Sequence, residues 1–282
     1  MHSYAISINN REAVWPSWQN AISHAEIRKI EYSAGDDDFD VFRHCVEALD
    51  SMQQSGSLEV ASIHIPFGPF SFWTHASTDE AERREGVRRI REFLSICRVL
   101  GCRNYTIHGS GEPIVPENRS QAMASLRRSL LELSEDMDQL GASLNLELLP
   151  RSCIGNTPEE LLQAMDGMPQ SIGICLDVNH LCGAPERLPA AIPLLGERLR
   201  SFHISDYDGV DECHWFPGFG VLDWPAIMAQ INNLPQELLL IFEIGRLKAA
   251  EWQNRAVSPE IHCHDCALTA RLLENGLGLL HP

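Results

Sequence analysis

Residues 144–178 read LNLELLPRSCIGNTPEELLQAMDGMPQSIGICLDV. Leu144–Leu149 is apolar apart from Asn145 and Glu147, and Ile172–Val178 is apolar apart from Gly173 and Asp177. Both runs are too short for a helix and too continuous for a half-exposed strand, so they suit a parallel sheet covered on both faces. Between them, Thr157-Pro158-Glu159-Glu160 is a helix start: a hydroxyl cap, a proline in the first turn, then acids that suit the helix dipole. Strand, helix, strand is the unit that parallel pairing requires.

The same alternation runs outward in both directions. Further short apolar runs lie at Tyr4–Ile8, Ile27–Tyr32, Val60–Ile65, Asn104–Ile107, Leu199–Ile204 and Leu238–Ile244. Helical patterns fill the intervals. Thr78 to Leu100 opens with a Ser77/Thr78 cap, carries Val87, Ile90, Phe93, Leu94 and Cys97 at helical spacing, and stops at Gly101. Arg119 to Leu140 stops at Gly141, and further helix starts lie at Asp223-Trp224-Pro225 and Ser258-Pro259-Glu260. Eight such units predict an α/β protein with a single (β/α)8 barrel, one domain over residues 1–282. The competing open doubly wound sheet usually has a glycine-rich turn after its first strand, and Ile8-Asn9-Asn10-Arg11 has none. The longest irregular stretch, Ser205 to Leu222, becomes a βα loop on the face where barrels carry their chemistry.

The chain has 282 residues and a formal net charge of -17, with Lys29 and Lys248 as its only lysines. That balance argues against a nucleic-acid partner, whose phosphates are held by clustered basic residues. It also leaves little lysine for Schiff-base chemistry. Nine cysteines at irregular spacing suit reduced thiols, and the N-terminal MHSYAISINN reads as a strand rather than a secretory leader, so a cytoplasmic location is expected. No apolar stretch approaches a membrane span.

The ends of these runs carry polar residues. The second run offers Glu31, the third His64, the fourth His108, the fifth Glu147, the sixth Asp177 and His180, the seventh His203 and Asp206, the eighth Glu243. A lone histidine in such a place is usually an ordinary hydrogen-bonding residue. A carboxylate inside an apolar run is rarer, because a buried charge must be paired or must bind a metal. Glu147, Asp177 and Glu243 repeat that pattern at matching depth, and two lysines cannot serve them all. With His203 they form a hard, oxygen-rich set suited to one divalent ion, Mn²⁺, Mg²⁺, Co²⁺ or Zn²⁺. Further imidazoles would favour zinc, and more than one zinc ion is the alternative.

These residues resemble the xylose isomerase-like TIM-barrel superfamily of sugar isomerases, epimerases and apurinic-site endonucleases, over nearly the whole chain. The most specific element is Phe202-His203-Ile204-Ser205-Asp206 followed by the loop Asp211 to Trp224, which looks like the family's H-x-x-P-G-x-G-x-x-D-W loop. Asp177-Val178-Asn179-His180 resembles its D-x-x-H, Asn145-Leu146-Glu147 its fifth-strand glutamate, and Ile107-His108-Gly109 its H-x-G turn. The resemblance implies Glu147, Asp177, His203 and Glu243 as metal ligands, with Glu147 and Glu243 also moving protons. His64, His108, His180 and His214 are implied as substrate-binding or additional metal residues. Arg151 and Arg246 closely follow the fifth and eighth strands, where an arginine pairs with a substrate phosphate or carboxylate, the substrate-binding reading, or with a neighbouring ligand carboxylate.

The implied activity is metal-dependent isomerisation or epimerisation of a small sugar-like hydroxy-carbonyl compound, by proton transfer through an enediolate. The partner would be a small molecule rather than a nucleic acid or a membrane. A homo-oligomer is compatible with the family, although no sequence feature marks an interface. Two alternatives stand beside this one. The endonuclease branch binds three zinc ions, and this chain supplies most counterparts, with Glu212 where that branch has aspartate. A barrel that keeps its metal but not its catalysis is the other. His262-Cys263-His264-Asp265-Cys266 falls in a helical pattern without a second pair at zinc-site spacing and is read as structural.

Overall fold

The computed structural model describes residues 2–35, 38–245 and 257–275. Eight strands close into a barrel in sequence order, each parallel to its neighbours, and β1 pairs with β8 to complete the ring. They are β1 (Ser3–Asn9), β2 (Lys29–Ser33), β3 (Glu59–His64), β4 (Asn104–Ile107), β5 (Ser143–Glu147), β6 (Ile172–Asp177), β7 (Leu199–Ile204) and β8 (Leu239–Phe242). Each lies on one of the eight apolar runs.

Helices follow the strands. After β1 come α1 (Asn10–Val14) and α2 (Pro16–His24), then α3 (Phe39–Gln54), α4 (Glu80–Cys97), α5 (Pro116–Leu140), α6 (Pro158–Met165), α7 (Leu188–Leu195), α8 (Trp224–Asn232) and α9 (Pro259–Glu274). The break between α1 and α2 falls at Trp15, extended at ψ 122, because Pro16 disfavours helical geometry in the residue before it. Two expected starts move. Asp79, not Ser77 or Thr78, caps α4, its carboxylate accepting from the Ala81 and Glu82 amides. α5 begins at Pro116 rather than Arg119, since proline costs nothing at the first helical position. Gly101 and Gly141 take left-handed φ values of 62°, closing their helices as expected. No helix among the described residues is long and apolar enough to cross a membrane.

The strands are buried on both faces, but the two faces differ in chemistry. Ile6, Ile30, Ile63, Tyr105, Leu144, Ile174, Phe202 and Leu240 join the large apolar core under the helices. Their neighbours in sequence fill the barrel, and most are small or polar: Ser7, Ser62, Thr106, Asn145 and Ser201, with only Ala5, Leu239 and Ile241 as a separate apolar cluster. Barrels of this type are more often filled with branched aliphatics. Gly173 shows how tightly the inside is packed. A Cβ there would lie 2.6 Å from the Asn145 Oδ1 atom and 2.6 Å from the Arg200 Cγ atom.

Strand register then sets the site. Asp177 and His203 are direct Cα partners across β6 and β7, and Glu147 pairs with Cys175 one step along β5 and β6. Residues of three strands thus reach the same rim.

Candidate metal centre

Glu147 sits at the middle of the rim, with its side chain 1 % exposed. One carboxylate oxygen faces the Nε2 atoms of His64 at 2.9 Å and His108 at 3.1 Å; the other faces Nδ1 of His203 at 2.9 Å. Asp177 Oδ2 lies 3.4 Å from His180 Nδ1 and 3.9 Å from His203 Nδ1, and Glu243 Oε2 lies 3.2 Å from that same His203 nitrogen. Glu147, Asp177, His203 and Glu243 each place a ligand atom within 4.8 Å of the others. Two further groups meet the same test, His64–His108–Glu147 and Asp177–His180–His214.

Two observations test whether such residues fit a cation. First, Asp177 Oδ2, Glu243 Oε2 and His180 Nε2 are buried and make no hydrogen bond of good geometry, although each faces an ionisable group at 3.2 or 3.4 Å. Buried polar atoms are nearly always partnered, so these three need an explanation. Second, the histidines have one nitrogen already engaged. His64 donates Nδ1–H to the Ile65 carbonyl at 2.9 Å, and His180 donates Nδ1–H to the Leu148 carbonyl at 2.7 Å. Each is left with an Nε2 lone pair directed to the carboxylate side. Pinning one ring nitrogen on a carbonyl is how metal-ligating histidines are oriented. The donor set fits a divalent ion.

Without such an ion, protons carry the compensating charge. Burial pushes the Asp177 carboxyl up to about 7, and Glu243 and Glu147 add to the rise while His180 opposes it. Burial works against charging His180, but Asp177, then Glu212 and Glu147, overcome it and lift it to about 10. Burial also opposes charge on Glu147, yet His203 and His108 hold it well below the usual carboxylate range. A bound cation would displace these protons, which is the usual linkage of metal binding to ionisation.

A cavity of about 160 Å³ opens onto this cluster, lined among others by Phe67, Phe70, His108, Glu147, Arg151 and Glu243. That is below the usual range for drug-sized ligands. The Phe67 ring stacks on His108, centroids 4.2 Å apart.

A xylose isomerase-like TIM barrel model matches residues 21–259. The chain belongs to that family. Among curated relatives, fructoselysine 3-epimerase of Escherichia coli O157:H7 is 26% identical over 158 residues, 54% of this chain and 56% of that protein. The match therefore spans about half of the epimerase's length. Among solved structures, a D-tagatose 3-epimerase-like protein superposes with a TM-score of 0.76 at 18% identity, covering 98% of this chain and 97% of that one. An IOLI protein with a bound zinc atom gives 0.74 at 15% identity, covering 95% and 97%.

In this xylose isomerase-like barrel the β7–α8 loop is held by Asp206. Its buried carboxylate accepts from the Tyr207 and Leu222 amides at 2.9 and 3.2 Å, and from Gly218 N and Trp224 Nε1, both at 2.9 Å. This corrects the expectation from the strand end: Asp206 belongs to none of the three ligand groups, because loop donors saturate it. It also explains part of the P-G-x-G-x-x-D-W pattern. A Cβ at Gly220 would lie 2.2 Å from the Asp206 Oδ1 atom, so only glycine fits. Asp206→Asn would turn amide hydrogens against these donors. Hydrogen bonds to charged groups are worth about 1.5–3 kcal/mol each, so the variant is expected to lose about 3 kcal/mol or more. Denaturant unfolding measures this, and an unchanged midpoint would remove Asp206 as the loop's anchor.

Asn179 supports the same loop. Its Oδ1 accepts from the Cys213 and His214 amides, both at 3.3 Å, which holds His214 over the centre. Sequence reasoning passed over Asn179, although it stands inside the D-x-x-H motif. Glu112 was missed as well. It grips Arg151, whose guanidinium also pairs with Asp211 and Glu212, joining the loops after β4, β5 and β7. Arg246 lies outside the described residues. His262 and Cys266 lie in α9, where His262 packs against Trp18 and Phe216, apart from the three ligand groups.

Proposed function

We propose that this protein is a divalent-metal-dependent isomerase or epimerase of a small sugar-like hydroxy-carbonyl compound. The observation that carries the reading is the convergence of Glu147, Asp177, His203 and Glu243, of which Glu147 and Glu243 line a cavity of about 160 Å³. A divalent ion held by these four residues would supply a Lewis acid that polarises the substrate carbonyl and acidifies the adjacent C–H.

The chain's own groups do the rest. Glu243 is the more open carboxylate, its side chain 29 % exposed against 1 % for Glu147. As the more open of the two, it would take a proton from a substrate carbon. Glu147 comes from the opposite side of the ring, three strands away, and returns a proton to the other face. His180 directs Nε2 at the Glu212 carboxylate 3.4 Å away and orients a substrate hydroxyl. Phe67 and Phe70 line the cavity and would displace water beside a bound substrate, which strengthens the electrostatics within.

A second reading is favoured by the two extra ligand groups, His64–His108–Glu147 and Asp177–His180–His214. They suit a multi-zinc phosphodiesterase. The charge of -17 stands against a nucleic-acid substrate. Elemental analysis of the purified protein, together with an assay of ketoses in D₂O, separates the two. About one metal per chain with solvent deuterium entering the sugar supports the isomerase. About three zinc ions with hydrolysis of a phosphodiester would replace it, and metal with neither reaction would leave a non-catalytic barrel.

A further inference from the structure

His203 meets carboxylates on both edges of its ring. Its Nδ1 faces Glu147 at 2.9 Å and Glu243 at 3.2 Å, the side where a cation would lie. Its Nε2 turns the other way, to Glu31, 3.3 Å from Oε2 and 3.2 Å from Oε1. Both residues are 0% exposed. Glu31 stands on β2, 172 residues before His203, and is fixed from the far side by Ser62 on β3, whose hydroxyl donates to Oε2 at 2.8 Å. Among the described residues its only ion-pair partner is His203.

A carboxylate buried with one hydroxyl and one imidazole is expensive for a fold to keep. Its Oε1 makes no hydrogen bond of good geometry. Below the rim the inner wall is uncharged, built from Ser7, Ser62, Thr106, Asn145 and Ser201 with Ala5, Leu239 and Ile241, so packing alone gives no reason for an acid there. Two other histidines of the rim, each with one nitrogen engaged, show what is particular here. His64 and His180 rest on the backbone carbonyls of Ile65 and Leu148, whereas His203 rests on an anion. An anionic acceptor makes a stronger hydrogen bond than a carbonyl and passes more electron density to the opposite nitrogen.

We infer that Glu31 is a positioning residue for the metal centre: it accepts the Nε2–H of His203 and so fixes the tautomer that presents the Nδ1 lone pair to a divalent cation held with Glu147, Asp177 and Glu243. The inference rests on the metal centre of the proposed function, but not on the substrate. Outer partners of this kind typically change metal affinity 10- to 100-fold when lost. Ser62 positions Glu31 in turn, one step further from the ion.

The test uses Co²⁺ alone on the full-length protein, without substrate. Affinity is read by competition with a chelator, and ligand geometry by the visible absorption of bound Co²⁺. Glu31→Gln, a weaker acceptor of similar size, is expected to lower affinity about 10-fold and Glu31→Leu, which accepts nothing, about 100-fold. Both are expected to shift the Co²⁺ bands, and Glu31→Asp to recover part of the affinity because it restores the charge. A purely structural glutamate would lower the melting temperature of chelated protein yet leave the affinity and the bands of the folded fraction where they were. That result overturns the proposal, and if the leucine variant does not fold, the glutamine variant decides. A parent protein that takes up no Co²⁺ overturns this proposal together with the metal centre. One that binds Co²⁺ but converts no sugar leaves the role of Glu31 measured by affinity and spectrum, and counts only against the proposed reaction.

Discussion

Glu147→Gln is expected to lower turnover by at least about 10²-fold, the scale of a lost general base, and to weaken metal binding more than Glu243→Gln does. The difference follows from the surroundings. Glu147 is enclosed by His64, His108 and His203 and belongs to two of the three ligand groups. A neutral amide there removes the charge that these imidazoles are arranged around. Glu243 has a freer carboxylate on the cavity side, so its loss falls more on proton transfer. Exchange of substrate hydrogen with solvent deuterium separates the roles. With two bases, one on each face, Glu243→Gln should stop net epimerisation while exchange persists at the face served by Glu147. If both variants retain full turnover on a sugar that the parent converts, neither glutamate moves the proton.

Chelation is expected to lower the melting temperature by about 5 °C relative to protein held in metal at a hundred times its dissociation constant. Binding at that ratio stabilises the folded state by about 2.7 kcal/mol. For a chain of this size each kcal/mol is worth roughly 2 °C. The physical origin is the crowding of Glu147, Asp177 and Glu243, which share a space where ligand atoms lie within 4.8 Å and which repel one another unless a cation or protons intervene. Adding Mn²⁺, Co²⁺ or Zn²⁺ to the stripped protein should restore the loss. A melting temperature indifferent to both steps, with metal content verified at each, would count against a binding site at this rim.

The barrel was legible because its signal is repeated and local. Leu144–Glu147 or Ile172–Asp177 reads as a strand from a few residues, and eight such runs separated by helices have one economical closure. Glu147, Asp177, His203 and Glu243 were legible for a related reason. Each interrupts or ends an apolar run at the same depth, so a parallel barrel brings them to one rim. What escaped depends on contacts between distant loops. Arg151 carries no sign in its own neighbourhood that it will meet Glu112, Asp211 and Glu212 together. Glu31 was visible as a strand-end acid, but its partner stands across the barrel and only closure of the sheet reveals it. Asp206 looked like a ligand because it follows His203 by three residues. The strand ends in between, and the backbone turns its carboxylate into the loop.

The polar inner wall also bears on how this protein responds to temperature. Unfolding a barrel filled with valine, isoleucine and leucine exposes apolar surface and raises the heat capacity steeply, whereas exposing polar surface lowers it. Here Ser7, Ser62, Thr106, Asn145 and Ser201 occupy positions where aliphatic side chains would otherwise stand. The heat-capacity increment per residue is therefore smaller than for an aliphatic-filled barrel of equal length. A smaller increment flattens the curve of stability against temperature, so the folded state loses less on cooling and declines more gradually on warming.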